Sequence, residues 1–156
     1  MKVSKRTRYA VRLMAELARN YNNGPLSVAD IARKENISEK FLEQIIMPLR
    51  AMGPIVSVRG PQGGYMLSKP PAEIALKTVV DLFEGTSGVV ECVNNRTVCG
   101  RSGFCTSRDV WVKVQERIDE TFKSMTLQDL IGARNDGDEP SPRRKSAHNA
   151  ETRNRP

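Results

Sequence analysis

A mainly helical fold with one small β-hairpin is what the sequence predicts: a winged helix-turn-helix extended by a long C-terminal dimerisation helix. Three observations carry this expectation. Apolar residues recur at three- and four-residue spacing in three successive segments before residue 53. Two short alternating stretches, 55–58 and 65–68, flank a glycine-rich tip, which is the pattern of a hairpin. A longer periodic segment begins after residue 105. Three short helices followed by a two-stranded hairpin make a winged helix-turn-helix.

Residues 4–21 form the first helix, with Ala10, Leu13, Met14, Leu17, Ala18 and Tyr21 on one stripe. Lys5, Arg8, Arg12 and Arg19 lie largely off that stripe, and Asn22-Asn23-Gly24-Pro25 stops the helix. Ser27 opens a second helix, with Asp30 as its capping-box partner, and it ends near Asn36. Ser38 caps a third, in which Ile37 and Leu42 form a hydrophobic staple. Its expected buried face is Phe41, Leu42, Ile45, Ile46, Leu49 and Met52; Glu39, Lys40, Glu43, Met47 and Arg50 take the other face. Pro48 lies inside this pattern, and an interior proline costs about 3 kcal/mol. The expectation is a kink dividing an exposed first half from a packed second half.

After the hairpin, Lys69-Pro70-Pro71 reads as a linker and 74–84 as a fourth helix. Residues 85–105 have no clear period and hold all three cysteines; a loop of that length in a compact domain is usually functional or disordered. Thr106 is expected to cap the long helix with Asp109 as its acid. On it Trp111, Val114, Ile118, Thr121, Phe122 and Met125 form a seam for a partner helix. A short helix follows at 126–131, and 133–156 read as a disordered basic tail. The expected organisation is a DNA-binding domain over 1–70, a cysteine loop with dimerisation helices over 71–131, and the tail over 132–156.

Of the 156 residues, 25 are Lys or Arg and 18 Asp or Glu, a net charge of +7. Residues 1–70 carry +7, 71–131 carry −2 and 132–156 carry +2. A basic first half beside an acidic second half points to one nucleic-acid-facing surface. No apolar run approaches the roughly 18 residues of a membrane helix, and the basic N-terminus has no apolar stretch behind it. The expected location is therefore a reducing cytoplasm, with no membrane partner. There, clustered thiols bind metal or sense redox more often than they form disulfides. No histidine lies in the predicted core and no nucleophile–base pair is apparent, so an enzyme is not expected.

In a helix-turn-helix the second helix of the pair enters the major groove by its N-terminal residues. Here that is the helix from Ser38, presenting Ser38, Glu39, Lys40, Glu43 and Gln44. Lys40 suits phosphate or guanine, Glu43 suits cytosine N4, and Gln44 suits adenine. Phosphate repels a carboxylate, so Glu43 acts mainly as a filter against wrong bases. Arg59 leads the wing, followed by Gly60, Pro61 and Gln62, and arginine suits a narrow minor groove. Arg8 and Arg50 complete the candidate DNA contacts.

Cys92, Cys99 and Cys105 follow a Cys-x6-Cys-x5-Cys spacing. The third abuts the positive end of the long helix, which favours thiolates and an anionic iron–sulfur centre. The close cysteine pairs usual in structural zinc sites are missing. A thiol-redox or zinc sensor without iron, and a protein-interaction module, stay open as alternatives.

The segments Arg8-Tyr9-Ala10-Val11, Ser27-Val28-Ala29-Asp30-Ile31-Ala32, Phe41-Leu42-Glu43-Gln44 and Arg59-Gly60-Pro61-Gln62-Gly63-Gly64-Tyr65, with the three cysteines and Thr106-Ser107-Arg108-Asp109-Val110-Trp111, form a recognisable set. Together they resemble the Rrf-two family of winged-helix transcription regulators, in its IscR-like branch, over about residues 2–131. The resemblance implies a homodimer on double-stranded operator DNA that is roughly palindromic, with an iron–sulfur cluster as sensor. It puts Lys40, Glu43 and Gln44 on bases and residues 59–62 in the minor groove. It also makes Cys92, Cys99 and Cys105 cluster ligands. Some relatives add a histidine three residues past the third cysteine, where Arg108 stands here; others use the first helix, where Arg8 and Arg12 stand. The only histidine, His148, lies in the tail, and Glu91 is the nearest spare carboxylate. The fourth ligand, and with it the choice between 2Fe–2S and 4Fe–4S, stays open.

Overall fold

The computed structural model describes residues 3–85 and 88–132. Its helices are α1 (Lys5–Arg19), α2 (Val28–Glu35), α3 (Glu39–Met52), α4 (Leu76–Glu84), α5 (Glu91–Asn94), α6 (Thr106–Ser124) and α7 (Leu127–Gly132). Strands β1 (Ile55–Val58) and β2 (Gly64–Leu67) pair antiparallel, from Ile55 opposite Leu67 to Val58 opposite Gly64. The fold is thus mainly α with one hairpin, as the periodicities require. The tail proposed from residue 133 onward lies outside the described residues.

The caps act where the sequence places hydroxyls. The Ser4, Ser27 and Ser38 hydroxyls accept from the backbone N–H groups of Thr7, Asp30 and Phe41. At α2 the Ser27 hydroxyl also donates to Asp30. A reciprocal capping box forms at α7. There the Thr126 N–H donates to the Asp129 carboxylate at 2.8 Å, and the Asp129 N–H donates back to the Thr126 hydroxyl. The box expected at α6 does not form. Its N-cap is Cys105, with no side-chain cap bond, and Thr106 is already the first helical residue. Asp109, which needs Thr106 at the cap to close that box, is therefore not a capping partner and lies exposed.

One apolar cluster unites the chain. Leu13, Met14 and Leu17 of α1, Ile31 of α2, Leu42, Ile45, Ile46 and Leu49 of α3, and Ile55 and Leu67 of the hairpin meet Ile74, Leu76, Val79 and Leu127. Residues on both sides of position 70 thus share one core. Helix α3 runs unbroken through Pro48 and buries residues before and after it. The expected division into exposed and packed halves is absent: Leu42, Ile45 and Ile46 before the proline are buried, as Leu49 is after it. Met52, expected inside, is 61% exposed, since Gly53 turns the chain away before that face is covered. Ile74 precedes α4 rather than belonging to it. Its carbonyl accepts from the Leu127 N–H at 3.0 Å, and the Leu76 N–H donates to Met125 at 2.8 Å, forming a small bridge between 75 and 126. No helix among the described residues is long and apolar enough to cross a membrane.

Candidate nucleic-acid interface and cysteine loop

The recognition helix is posed by α1. Tyr9 meets Phe41 edge-on, with ring centroids 5.5 Å apart. The Lys5 ammonium lies over both rings, 5.7 Å from Tyr9 and 5.5 Å from Phe41. Arg12 stacks over Tyr9 at 5.1 Å, ion-pairs with the Glu35 carboxylate and donates to the Glu35 carbonyl at 2.7 Å. One arginine therefore ties the C-terminal end of α2 to α1. Ser38, Glu39, Lys40, Glu43, Gln44 and Arg50 are all exposed on α3, and Arg8 is exposed on α1.

The wing is docked, not free. Tyr65 and Leu26 exchange two backbone hydrogen bonds, at 2.9 and 2.8 Å, so the segment before α2 acts as a third edge on the hairpin. This explains two glycines at the end of the tip. A Cβ on Gly64 would lie 2.2 Å from the Leu26 carbonyl oxygen, and one on Gly63 would lie 2.3 Å from that of Val58. Gly60 differs: its surroundings are open, and it is glycine for its φ of +120°. The Gly63 N–H donates to the Gly60 carbonyl at 2.9 Å, closing the tip, and 59–62 are exposed.

Helix α1 is also fastened to the root of the cysteine loop. Glu84, at the end of α4, accepts from the Ser4 N–H at 2.8 Å and from the Thr7 hydroxyl. Burial pushes the Glu84 carboxyl up, but these bonds outweigh it and hold the carboxyl below its ordinary value of 4.5. A carboxyl depressed in the folded state stabilises above its unfolded pKa, and that contribution is lost as pH falls through the folded value. Glu84→Gln is therefore expected to remove part of the stability loss below pH 4.5. Urea midpoints measured across the acid range check it, and an unchanged acid limb would discount this clamp.

The cysteine loop is more ordered than its lack of period suggests. It holds α5 and a 3-10 turn at Arg96–Val98. Cys92 is half-buried at α5, Cys105 is half-buried at the start of α6, and Cys99 is exposed between them. None is in a disulfide. The Ser107 hydroxyl, the Arg108 N–H and nearby Arg101 hold the Cys105 thiol below its ordinary value. Thiolates are suitable ligands for the iron of an iron–sulfur cluster. Among the described residues, however, no three His, Cys, Asp or Glu side chains gather around a point that could hold a metal. The donor chemistry suits a cluster, while the ligand-free arrangement leaves the three thiols apart. Among the described residues, hydrogen bonds from 95–104 end within 91–104, so Cys99 sits on an arm without long-range ties.

On α6 the predicted seam is divided. Trp111, Val114 and Met125 are exposed, at 39%, 37% and 37%, while Ile118 and Phe122 are half-buried. Val114, Ile118 and Phe122 line an open apolar groove of about 490 Å³ with Lys113, Arg117 and Thr121. Val110, 57% exposed, extends the apolar strip and was not part of the predicted seam. The opposite side of α6 is tied down inside the chain. Gln115 accepts from the Val89 N–H at 2.8 Å, and Asp119 lies 3.1 Å from Lys77.

Comparison with known proteins agrees with this architecture. Residues 3–133 match the family model "Rrf2: Iron-dependent Transcriptional regulator". The transcriptional regulator CymR of Bacillus subtilis is 35% identical over 130 residues, covering 83% of this chain and 89% of that protein. The transcriptional regulator IscR of Pectobacterium carotovorum is 34% identical over 131 residues, covering 84% and 79%. Among solved structures, CymR of B. subtilis, described as its global cysteine regulator, superposes with a TM-score of 0.75 at 32% identity, covering 86% of this chain and 99% of that one. IscR of T. potens superposes at 0.70 and 35%, covering 85% and 87%. With the family model matching residues 3–133 and these relatives covering more than four fifths of the chain, the protein belongs to the Rrf2 (Rrf-two) family and is a DNA-binding transcription regulator, not an enzyme.

Proposed function

We propose that two copies of this chain pair along α6 into a homodimer that grips a roughly palindromic operator, and that an iron–sulfur cluster on Cys92, Cys99 and Cys105 sets how tightly. The observation that carries this reading is the placement of three unpaired thiols in one loop between α4 and α6. That loop joins the helix clamped to α1 by Glu84 to the helix with the exposed apolar strip. A chemical change there lies between the DNA-reading unit and the pairing surface. The functional division is a reading unit over 1–70 and a sensing and pairing unit over 71–131.

Each copy presents α3 to one half-site, with half-sites about one helical turn apart. Lys40, Glu43 and Gln44 face base edges; Ser38, Glu39, Arg8 and Arg50 flank them; residues 59–62 enter the minor groove. Trp111, Val114, Ile118, Phe122 and Met125 cover one another across the two-fold axis. When bound, a cluster of either the 2Fe–2S or the 4Fe–4S type supplies a centre sensitive to iron supply and oxidation. Its ligation requires the Cys99 arm to fold toward Cys92 and Cys105. A preference of 1–3 kcal/mol for one loop arrangement changes affinity about 5- to 150-fold.

Purification without oxygen, with iron and sulfide assays, tests the cluster. A brown protein whose operator affinity changes on cluster removal is expected. Colourless, iron-free material from iron-replete cells would overturn that part. The lowered Cys105 thiol, together with the cysteine-regulator description of the CymR relative, favours a second reading: a thiol switch without iron. It predicts that reversible oxidation alters DNA affinity with no absorbance near about 400 nm.

Two substitutions separate affinity from specificity. Arg59→Ala is expected to weaken binding to all operator variants by about 1–3 kcal/mol. Glu43→Ala is expected to keep affinity and narrow the difference between operator variants. Titrations of a small panel of duplexes at fixed salt distinguish the two. Unchanged binding by Arg59→Ala would remove the wing from the interface.

A further inference from the structure

We propose that Arg108 is the positioning residue of the cysteine loop: it joins the peptide groups of Cys92 and Cys105 into one rigid unit and leaves Cys99 as the single movable thiol. This rests on the sensing role proposed above for the three cysteines. Arg108 is one of three buried polar or charged residues described, at 9% exposure. Among the described residues no carboxylate ion-pairs with it. Burying an unpaired guanidinium is unfavourable unless its N–H donors find acceptors, and two of its five do so here.

Those donors go to the loop. Nε donates to the Cys92 carbonyl at 3.0 Å and Nη2 to the Val93 carbonyl at 3.1 Å. The Arg108 backbone N–H donates to the Cys105 carbonyl at 3.1 Å. A single residue is therefore bonded to the peptide groups of the first and third cysteines. The two carbonyls it receives belong to α5, a helix of four residues. The last carbonyls of a helix have no partner within it, and one turn does not stand alone in water. The guanidinium fork is a side-chain cap that holds α5 against α6. Among the described residues Cys99 has no such anchor: its carbonyl accepts from the Ser102 N–H and hydroxyl, at 3.0 and 2.7 Å, within the same loop.

The test uses the full-length, reduced, metal-free protein with limiting iodoacetamide, reading the alkylation rate of each cysteine by mass spectrometry. In wild type, Cys92 is expected to react more slowly than Cys99. Arg108→Gln should raise the Cys92 rate roughly tenfold, the size expected for losing hydrogen bonds from a charged donor. The Cys99 rate, the melting temperature and the salt-dependent DNA affinity of the metal-free protein should hold. Arg108→Lys, which cannot fork between two carbonyls, should restore only part of the protection. An unchanged Cys92 rate in Arg108→Gln overturns the proposal. So does an equal rise at all three cysteines with a fall in melting temperature, which would make Arg108 a general core residue. Iron content after oxygen-free purification is read separately. Iron-free wild type with a protected Cys92 defeats the cluster reading and leaves the clamp standing.

Discussion

Gly64→Ala is expected to destabilise the protein by about 3 kcal/mol or more and to abolish specific DNA binding at working concentrations. The added Cβ would sit 2.2 Å from the Leu26 carbonyl oxygen, 2.5 Å from its carbon and 2.9 Å from the Ser27 nitrogen. All three are backbone atoms, so no side chain can swing aside. Relief requires β2 to part from residues 26–27, which breaks the two hydrogen bonds between Leu26 and Tyr65. Ser27 caps α2, so the disturbance reaches the helix-turn-helix as well as the wing. Gly60→Ala is the control: it meets no atom within 4 Å and bears only the strain of its positive φ. Urea denaturation and duplex titration of both variants decide the matter. A Gly64→Ala protein as stable as wild type would mean that the wing does not dock as described.

Leu127→Ala is expected to cost about 2–5 kcal/mol, a large share of the roughly 5–15 kcal/mol that holds a typical domain folded. Leu127 has no exposure and packs, at the start of α7, into the cluster formed by α1, α3 and the hairpin. Its N–H donates to the Ile74 carbonyl just before α4, while its side chain packs with residues of α1, α3 and the hairpin, so the segment after α6 is fastened both to the start of α4 and to the first 70 residues. With one core, the whole chain should melt in a single transition lowered by roughly 4–20 °C. Two transitions, with the reading unit untouched, would show that the segments on either side of residue 70 fold apart. Calorimetry of wild type and variant gives the answer.

Local signals made most of the helices legible. Hydroxyls at 27 and 38 cap where the pattern places them, because an N-cap bond spans only three residues, while Ser4, read as the first residue of its helix, is the N-cap of α1. The apolar stripe of α1 and the hairpin register follow from periodicity alone. The misplaced features are those in which two local rules compete. Thr106 with Asp109 and Thr126 with Asp129 are equally good capping boxes on paper, yet only the second forms. Met52 fits the α3 stripe, but Gly53 ends the helix before anything covers it. Pro48 marks a division into an exposed and a packed half by sequence rule, whereas α3 buries residues on both sides of it.

The candidate DNA contacts on α3 stand out in the sequence as polar positions on an otherwise apolar helix, and packing leaves them exposed. The cysteine loop was readable as chemistry but not as geometry. Three thiols at that spacing identify the donor set; which of them is held and which is free depends on Arg108, sixteen residues from Cys92.

By itself, then, the sequence determined the order and kind of elements, the uneven spread of basic charge and the presence of three cysteines in one segment, since each is encoded within a few residues. The tertiary structure alone decided three things: why Gly63 and Gly64 carry no side chain, how Arg12 and Glu84 brace α1, and where Arg108 spends its charge. Each of these last is a contact between distant residues, whose steric and hydrogen-bonding demands exist only once the chain has folded back on itself.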